Sequence, residues 1–228
     1  MKLGNVTRIF LCLLAACMCF ACSETDNTWD PYTNWKVRNA EWFEQVADTA
    51  RRSISEAKSL YGDAWEDHCE WRMFKSLKKS QNYNSGKLSD SICVKIAKRG
   101  TGTVLPNYND TVRLSFRGWL MDTQYDNGEG KLFNEMRVFT QTYYGDYNPE
   151  TAAPSLSPVG AMIEGFQTAL QYMKEGDDWY VYIPQELAYG KKKEDKIPAF
   201  STLLFRINMV AVYPIGTGVP VWKVRGSK

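Results

Sequence analysis

The 228-residue chain contains 44% apolar and 24% charged residues, a composition typical of a globular protein and not of a disordered or fibrous one. Its length suits one well-cored domain with accessory segments and is short for two domains. The formal net charge is +2, and 2 of the 28 basic residues, Lys2 and Arg8, lie in a segment that we expect to be removed, which leaves 26 basic and 26 acidic residues. A neutral mature chain has no basic stripe to neutralise phosphates, so nucleic-acid binding is not expected.

The first 22 residues have the pattern of a secretory signal peptide. Basic residues precede an apolar run, Ile9–Phe20, which is too short to span a bilayer and has the size of a signal-peptide core. Small residues precede Cys17 and Cys22, and this resembles a lipobox, in which a cysteine becomes the lipidated first residue of the mature protein. We favour Cys22, with Cys17 as the rival, because the sequence turns polar and acidic directly after Cys22. The alternative is an ordinary cleaved signal peptide without a lipid.

The acidic segment that follows Cys22 resembles the surface-export signal of lipoproteins in Bacteroidetes-like bacteria. The resemblance implies a membrane-anchored lipoprotein of the bacterial cell envelope. It would lie on the periplasmic or the cell-surface side of the outer membrane, with the lipid bilayer as a partner through the N-terminal anchor.

Residues 23–86 are predicted to form a tether, a helical stalk and a linker. A helix is expected to start after Thr33 or Asn34 and to end at Gly62, and a second helix is expected over residues 65–78. The first helix has a thin apolar stripe with spacings of three and four residues: Ala40, Phe43, Ala47, Ala50, Ile54, Ala57 and Tyr61. This stripe would pack against the main domain or, alternatively, form a homodimer through the helix.

Residues 87–214 are predicted to form an α+β domain with an antiparallel sheet, followed by a C-terminal tail over 215–228. Alternating apolar residues indicate four strands: Ile92, Val94 and Ile96; Val112, Leu114 and Phe116; Trp179, Val181 and Ile183; Leu203, Phe205, Ile207 and Met209. The segment 123–160 is rich in turn-forming residues and is expected to be mainly loop with short strands. One short amphipathic helix is expected from about Glu164 to Lys174.

The cysteine and histidine positions exclude several kinds of site. Four of the six cysteines lie in the first 22 residues, and only Cys69 and Cys93 follow. This is neither a disulfide framework nor a metal-ligand spacing, so we expect no metal and no cofactor. Cys69 and Cys93 would either form a disulfide or remain as two buried thiols. His68 is the only histidine, and its neighbours do not suggest histidine-dependent nucleophilic catalysis.

Four blocks of the sequence resemble the FKBP-type peptidyl-prolyl isomerases, the rapamycin-binding immunophilins. They occur in the family's order, and they are LSFRGWL at 114–120, MIEGF at 162–166, VYIPQELAYG at 181–190 and IPAFSTLLF at 197–205. The resemblance implies a curved antiparallel β-sheet wrapped around one short α-helix, here preceded by an N-terminal helical segment. It also implies binding of proline-containing polypeptides and of rapamycin-type macrolides.

Catalysis of prolyl isomerisation has simple physical requirements. Rotation about an X-Pro bond costs about 18–20 kcal/mol because amide resonance must be broken, so the uncatalysed exchange takes tens to hundreds of seconds. A catalyst must bind the twisted amide better than either planar form. An apolar pocket for the prolyl ring and a few placed hydrogen-bond donors are sufficient.

The resemblance assigns these roles to particular residues. Tyr189 would donate its hydroxyl to the substrate carbonyl, Phe166 would replace the family's tryptophan at the pocket floor, and Ile163 would offer its backbone N–H. The remaining substrate-binding positions implied by the family pattern are Phe116, Phe139, Thr140, Met162, Ile197 and Phe205.

Two of these positions depart from the family. Phe116 stands where a tyrosine is usual, and the family's Phe-Asp pair falls at Phe139-Thr140 or, in a rival alignment, at Phe133-Asn134. The aspartate is absent in both alignments. Loss of both partners of a buried polar pair is nearly neutral for stability, which suggests that the pair is replaced as a unit. The sequence therefore leaves two hypotheses: an envelope isomerase that assists the folding of exported proteins, and a catalytically weak prolyl-binding module.

Overall fold

The computed structural model describes residues 30–79, 81, 86–126 and 132–222. The predicted signal peptide and both candidate lipidation sites, Cys22 and Cys17, lie outside the described residues. From Tyr32 onwards the described residues belong to one compact unit. Among them, no helix combines the length and the apolar character needed to cross a membrane.

The unit contains three α-helices and seven strands in the described part of the chain. The helices are α1 (Trp35–Tyr61), α2 (Trp65–His68) and α3 (Glu164–Leu170). The strands are β1 (Trp71–Lys75), β2 (Ser91–Lys98), β3 (Thr111–Asp126), β4 (Leu132–Gln141), β5 (Ser155–Pro158), β6 (Asp178–Ile183) and β7 (Leu203–Tyr213).

All strands belong to one antiparallel sheet with the order β1-β2-β6-β7-β3-β4, and β5 pairs with β3. The pairing register of β3 shifts after Arg113 and again beyond Gly118, and such bulges bend a strand. Helix α3 packs on the sheet, and its Phe166, Ala169 and Leu170 are buried in the same core as residues of β2, β6 and β7. The predicted α+β class, with an antiparallel sheet and one short helix against it, is confirmed.

Helix α1 packs along the sheet of its own chain. It ends at Tyr61, and Gly62 follows with φ of 54°, a backbone conformation that favours glycine. Of the predicted stripe, Phe43, Ala47, Ala50 and Ala57 are buried, whereas Ala40 and Tyr61 are exposed. The buried face also takes in Trp35 and Asn39, which the spacing did not indicate.

The predicted second helix over residues 65–78 is wrong beyond His68. Trp71–Lys75 form β1, which pairs antiparallel with β2 from Trp71 opposite Lys95 to Lys75 opposite Ser91. Pairing in the sheet satisfies the backbone groups of this segment and those of β2, which would otherwise form an open edge. The sheet thus begins before residue 87, and the division of the chain at that point stays a prediction.

The segment 123–160 contains more regular structure than the sequence indicated. Strand β3 continues to Asp126 and forms a long hairpin with β4. The register shifts between β3 and β4 place an extra residue in each strand and interrupt the two-residue alternation, which explains why the pattern did not reveal the pair. Helix α3 ends at Leu170, before the predicted Lys174. Cys69 and Cys93 are both buried free thiols, so the disulfide alternative is not observed.

Candidate prolyl-binding site

A cavity of about 530 Å³ opens between α3, the hairpin of β3 and β4, and the loop before β7. Its lining includes all nine residues that the sequence assigned to the site: Phe116, Phe139, Thr140, Met162, Ile163, Phe166, Tyr189, Ile197 and Phe205. Four further lining residues, Ala161, Glu194, Asp195 and Lys196, were not predicted. The fold therefore brings together every predicted site position, while the role of each remains a prediction.

Four phenylalanine rings form the floor and one wall of the cavity. Phe166 meets Phe205 edge to face, with ring centroids 4.9 Å apart and planes at 89°. Phe139 meets Phe205 in the same way at 5.3 Å, and Phe116 meets Phe166 at 5.8 Å. Edge-to-face contacts of this kind favour one relative orientation of the rings. The floor is thus a fixed apolar surface contributed by β3, β4, α3 and β7.

Gly118 makes this close arrangement of rings possible. A Cβ at this position would lie 2.7 Å from the Phe139 ring, 2.8 Å from the Phe205 ring and 2.9 Å from the Thr140 methyl group. Such distances are shorter than carbon contacts in a packed core allow. Gly118 belongs to the LSFRGWL block, but neither its spacing nor its type indicated that it supports the cavity floor.

The turn before α3 supplies the second wall. Ile163 precedes the helix in an extended conformation, and its N–H donates to no described residue. The side-chain amide of the buried Gln167 donates to the carbonyl of Gly160 at 3.1 Å and also to that of Met162. Gln167 thereby fixes the backbone that carries Met162 and Ile163. Residue type alone did not indicate this role, because the same helix also carries Glu164 and Thr168.

Tyr189 stands at the mouth of the cavity, after β6. About a third of its surface (36%) is exposed, and within the described part of the chain its hydroxyl has no hydrogen-bond partner. Partial burial raises the pKa of Tyr189 above its usual value, and the nearby Glu194 raises it further, against a smaller opposite effect of Lys192. The neutral hydroxyl is therefore favoured, and it is available as a donor.

A short charged turn forms the rim opposite the ring floor. Glu194 and Ile197 exchange backbone hydrogen bonds of 3.0 and 2.6 Å, and Lys192 forms an ion pair with Glu194. Ile197 points into the protein and is buried, whereas Asp195 and Lys196 are exposed. The charged run between Tyr189 and Ile197 could have indicated this rim from the sequence alone.

The cavity contains the Phe139-Thr140 pair, and Phe133 and Asn134 pair with Tyr125 and Gln124 further along the hairpin. At the family's tyrosine and aspartate positions, the cavity lining therefore contains the Phe116 ring and the Thr140 side chain.

Residues 102–210 match the family of FKBP-type peptidyl-prolyl cis-trans isomerases. The chain carries an FKBP-type domain. Trp35, Asn39 and Ser76 precede the matched range and form hydrogen bonds with Ser201, Thr202 and Glu164 within it.

Several known proteins align with the chain. It is 28% identical over 148 residues to the macrophage infectivity potentiator of Trypanosoma cruzi, covering 64% of this chain and 65% of the relative. It is 31% identical over 119 residues to the FKBP-type 22 kDa peptidyl-prolyl cis-trans isomerase of Escherichia coli, covering 52% of this chain and 48% of the relative. The chain spans about half the length of most curated relatives that it matches. Among solved structures, FkpA from Escherichia coli matches with a TM-score of 0.41 and 20% identity, covering 94% of this chain and 84% of the other.

Proposed function

We propose that this protein is a peptidyl-prolyl cis-trans isomerase that acts on proline-containing segments of exported proteins in the cell envelope. The observation that carries the proposal is the combination of a phenylalanine-lined cavity with two hydrogen-bond donors at its edge, the Tyr189 hydroxyl and the Ile163 N–H, which have no partner among the described residues. Such an arrangement suits a ligand with one compact apolar ring and two adjacent carbonyl groups.

The geometry supports catalysis by preferential binding of the twisted amide. A prolyl ring on the Phe166 floor would be held against rotation, while the preceding carbonyl turns at the mouth of the cavity. The twisted amide is less dipolar than the planar one, so apolar surroundings penalise it less. The Tyr189 hydroxyl would donate to a carbonyl in this state, and Ile163 would fix the chain on the other side. The described residues offer this chemistry without a nucleophile.

A second function, prolyl binding with little turnover, is favoured by one observation. The family's tyrosine and aspartate are represented by Phe116 and Thr140, so a polar pair that could assist the rotating carbonyl is replaced by a ring and a hydroxyl. This module would retain proline-containing segments, and also rapamycin-type macrolides, without accelerating their exchange.

The proposal includes attachment to the outer membrane through a lipid on Cys22, with Cys17 as the rival site. Palmitate labelling of the Cys22→Ala variant tests this choice, because persistent labelling would assign the lipid to another cysteine. The proposal does not extend to a homodimer through the α1 stripe, because Phe43, Ala47 and Ala50 are buried against the sheet of the same chain.

The function is tested by NMR exchange spectroscopy on a short X-Pro peptide with protein that begins at Ser23. Catalysed exchange that is reduced in both Tyr189→Ala and Phe166→Ala would establish an isomerase and place its pocket. Peptide resonances that shift on titration without faster exchange would instead identify a binding module.

A further inference from the structure

The start of α1 makes direct hydrogen bonds to the segment that links Ile197 to strand β7. The indole N–H of Trp35 donates to the hydroxyl of Ser201 at 3.0 Å, and this hydroxyl donates in turn to the carbonyl of Pro198 at 2.7 Å. Pro198 directly follows Ile197, which lines the cavity. A continuous path of two hydrogen bonds therefore leads from the helix to the residue beside the cavity wall.

A second connection lies one turn further along the helix. The side-chain oxygen of Asn39 accepts a hydrogen bond from the Thr202 N–H at 2.8 Å, and the Thr202 hydroxyl donates to the Asn39 carbonyl at 3.2 Å. The amide group of Asn39 donates to the Trp35 carbonyl at 2.7 Å, which orients the side chain. Asn39 and Thr202 are both buried, so these bonds are shielded from competing water.

The linking segment has a backbone that requires such support. Phe200 has φ of 65°, a left-handed conformation that is costly for a bulky residue. Its N–H donates to the Gly190 carbonyl at 2.7 Å, next to Tyr189, and the ammonium group of Lys36 lies 4.9 Å from its ring centroid. Strained backbone persists only where the surroundings determine it, and α1 provides a large part of these surroundings.

We infer that Asn39 and Trp35 are positioning residues for the prolyl pocket, acting through the Ile197–Thr202 segment. This inference rests on the proposed function. The pocket's efficiency then depends on a helix that precedes the matched range 102–210. No residue of the helix lines the cavity. By fixing the Ile197–Thr202 segment, the helix sets the position of Ile197 relative to the ring floor. Through the Phe200 N–H, the same segment supports the carbonyl of Gly190, the residue that follows Tyr189.

The test compares Asn39→Ala with Ala50→Gly in the full chain. Ala50 is buried on the same face of α1, about three turns away, so its replacement by glycine loosens the same helix without removing a bond to the segment. We expect Asn39→Ala to lower kcat/KM for an X-Pro peptide about five- to tenfold, since a small misplacement of a pocket wall is costly. The kcat/KM of Ala50→Gly should stay within about twofold of that of the unmodified chain, even if the two variants have the same melting temperature.

A double-mutant cycle identifies the route of the effect. If Asn39 acts through Ile197, the Asn39→Ala effect should shrink to less than about twofold in an Ile197→Ala background. If Asn39→Ala lowers kcat/KM by the same factor in both backgrounds, or does not lower it at all, the inference is overturned. Ser201→Ala serves as the second variant should Asn39→Ala not fold, because it removes one oxygen atom and interrupts the path from Trp35.

Failure of the inference is separable from failure of the proposed function. If the unmodified chain does not accelerate exchange, the isomerase proposal fails, and the same variants are compared by the peptide's Kd from chemical-shift titration. A weaker Kd for Asn39→Ala with an unchanged Kd for Ala50→Gly would support the positioning role. Equal Kd values for the unmodified chain and Asn39→Ala would reject it.

Discussion

The Thr142 hydroxyl lies against the backbone of Phe116, accepting from the Phe116 N–H at 2.9 Å and lying 3.2 Å from the Phe116 carbonyl. The Thr142 N–H donates to the same carbonyl at 2.9 Å. These bonds set Phe116 opposite Thr142, and Gly118 pairs with Thr140. Phe116 and Thr140 are consequently diagonal neighbours on one face of the hairpin, a separation that long side chains bridge.

This relationship makes the replaced polar pair testable. Phe116→Tyr or Thr140→Asp alone should lower the free energy of unfolding by about 1 kcal/mol, because each introduces a polar group that is only partly satisfied. The double variant should recover most of this loss through a new hydrogen bond, with a coupling of about 0.5–3 kcal/mol. Urea unfolding of all four proteins measures the coupling. Strictly additive losses would show that the two side chains do not meet.

Tyr189→Phe removes one hydroxyl and retains the ring. We expect kcat/KM to fall about tenfold, or about 1.4 kcal/mol in transition-state stabilisation, since the hydroxyl is the donor at the mouth of the cavity. The free energy of unfolding should change by less than about 0.5 kcal/mol, because the hydroxyl has no hydrogen-bond partner among the described residues. Tyr144→Phe is the matched control, since Tyr144 is 86% exposed and does not line the cavity. An unchanged kcat/KM in Tyr189→Phe would remove the donor role.

The pH profile provides a separate check on the same group. Burial and Glu194 raise the pKa of Tyr189, and the usual tyrosine value is about 10. The donor form is fully present below the pKa and is lost only as the pH rises through it, so a raised pKa extends the donor range upwards. We expect kcat/KM to be constant from about pH 6 to about pH 9. A decline within this range that disappears in Tyr189→Phe would mean that the pKa is lowered.

Gly118→Ala should disturb the cavity floor directly. The added methyl group would be forced against Phe139, Phe205 and Thr140, and overpacking of this kind costs about 1–3 kcal/mol. We expect a lower melting temperature together with weaker peptide binding, because the rings must move into the cavity. Gly218→Ala is the control, since a Cβ there meets no atom within 4 Å. Retention of full peptide affinity by Gly118→Ala would show that the floor yields without closing the cavity.

The two cysteines of protein that begins at Ser23 should react as free thiols. Titration of denatured, unreduced protein with a thiol reagent should give two thiols per chain, and a count of zero would indicate the disulfide. In the folded state Cys93 should react slowly, because its side chain is fully buried and burial raises its pKa to about 12, which leaves little thiolate. Rapid reaction of Cys93 in the folded protein would show that β2 opens readily.

The sequence predicted the pocket far better than it predicted the hairpin and the N-terminal segment. The pocket residues fall in four short blocks in which residue type and order are informative, and all nine predicted positions line one cavity. Strand β4 escaped prediction because the β3–β4 pairing has one extra residue in each strand, which interrupts the alternation. Strand β1 escaped prediction because a five-residue strand is stabilised by its partner and not by its own pattern.

The hydrogen bonds that support the pocket walls could not be predicted, for a different reason. The residue type of Asn39 does not indicate a role in packing or in catalysis. Its partner Thr202 lies 163 positions away in the sequence. Gln167 is similar, since its two bonds to the Gly160 and Met162 carbonyls depend on the turn before α3. Contacts of this kind are determined by the assembled fold, and local patterns do not contain them.

Strand β1 also bears on how the protein survives contact with its proposed clients. Unfolded polypeptides carry unpaired N–H and C=O groups that add readily to any open sheet margin. In this chain the margin along β2 is occupied by five residues of the same molecule, and these include the charged Arg72 and Lys75. A short, charged margin is a poor template for a foreign strand. At this margin of the sheet, β1 therefore opposes co-aggregation with the extended chains that the protein is proposed to bind.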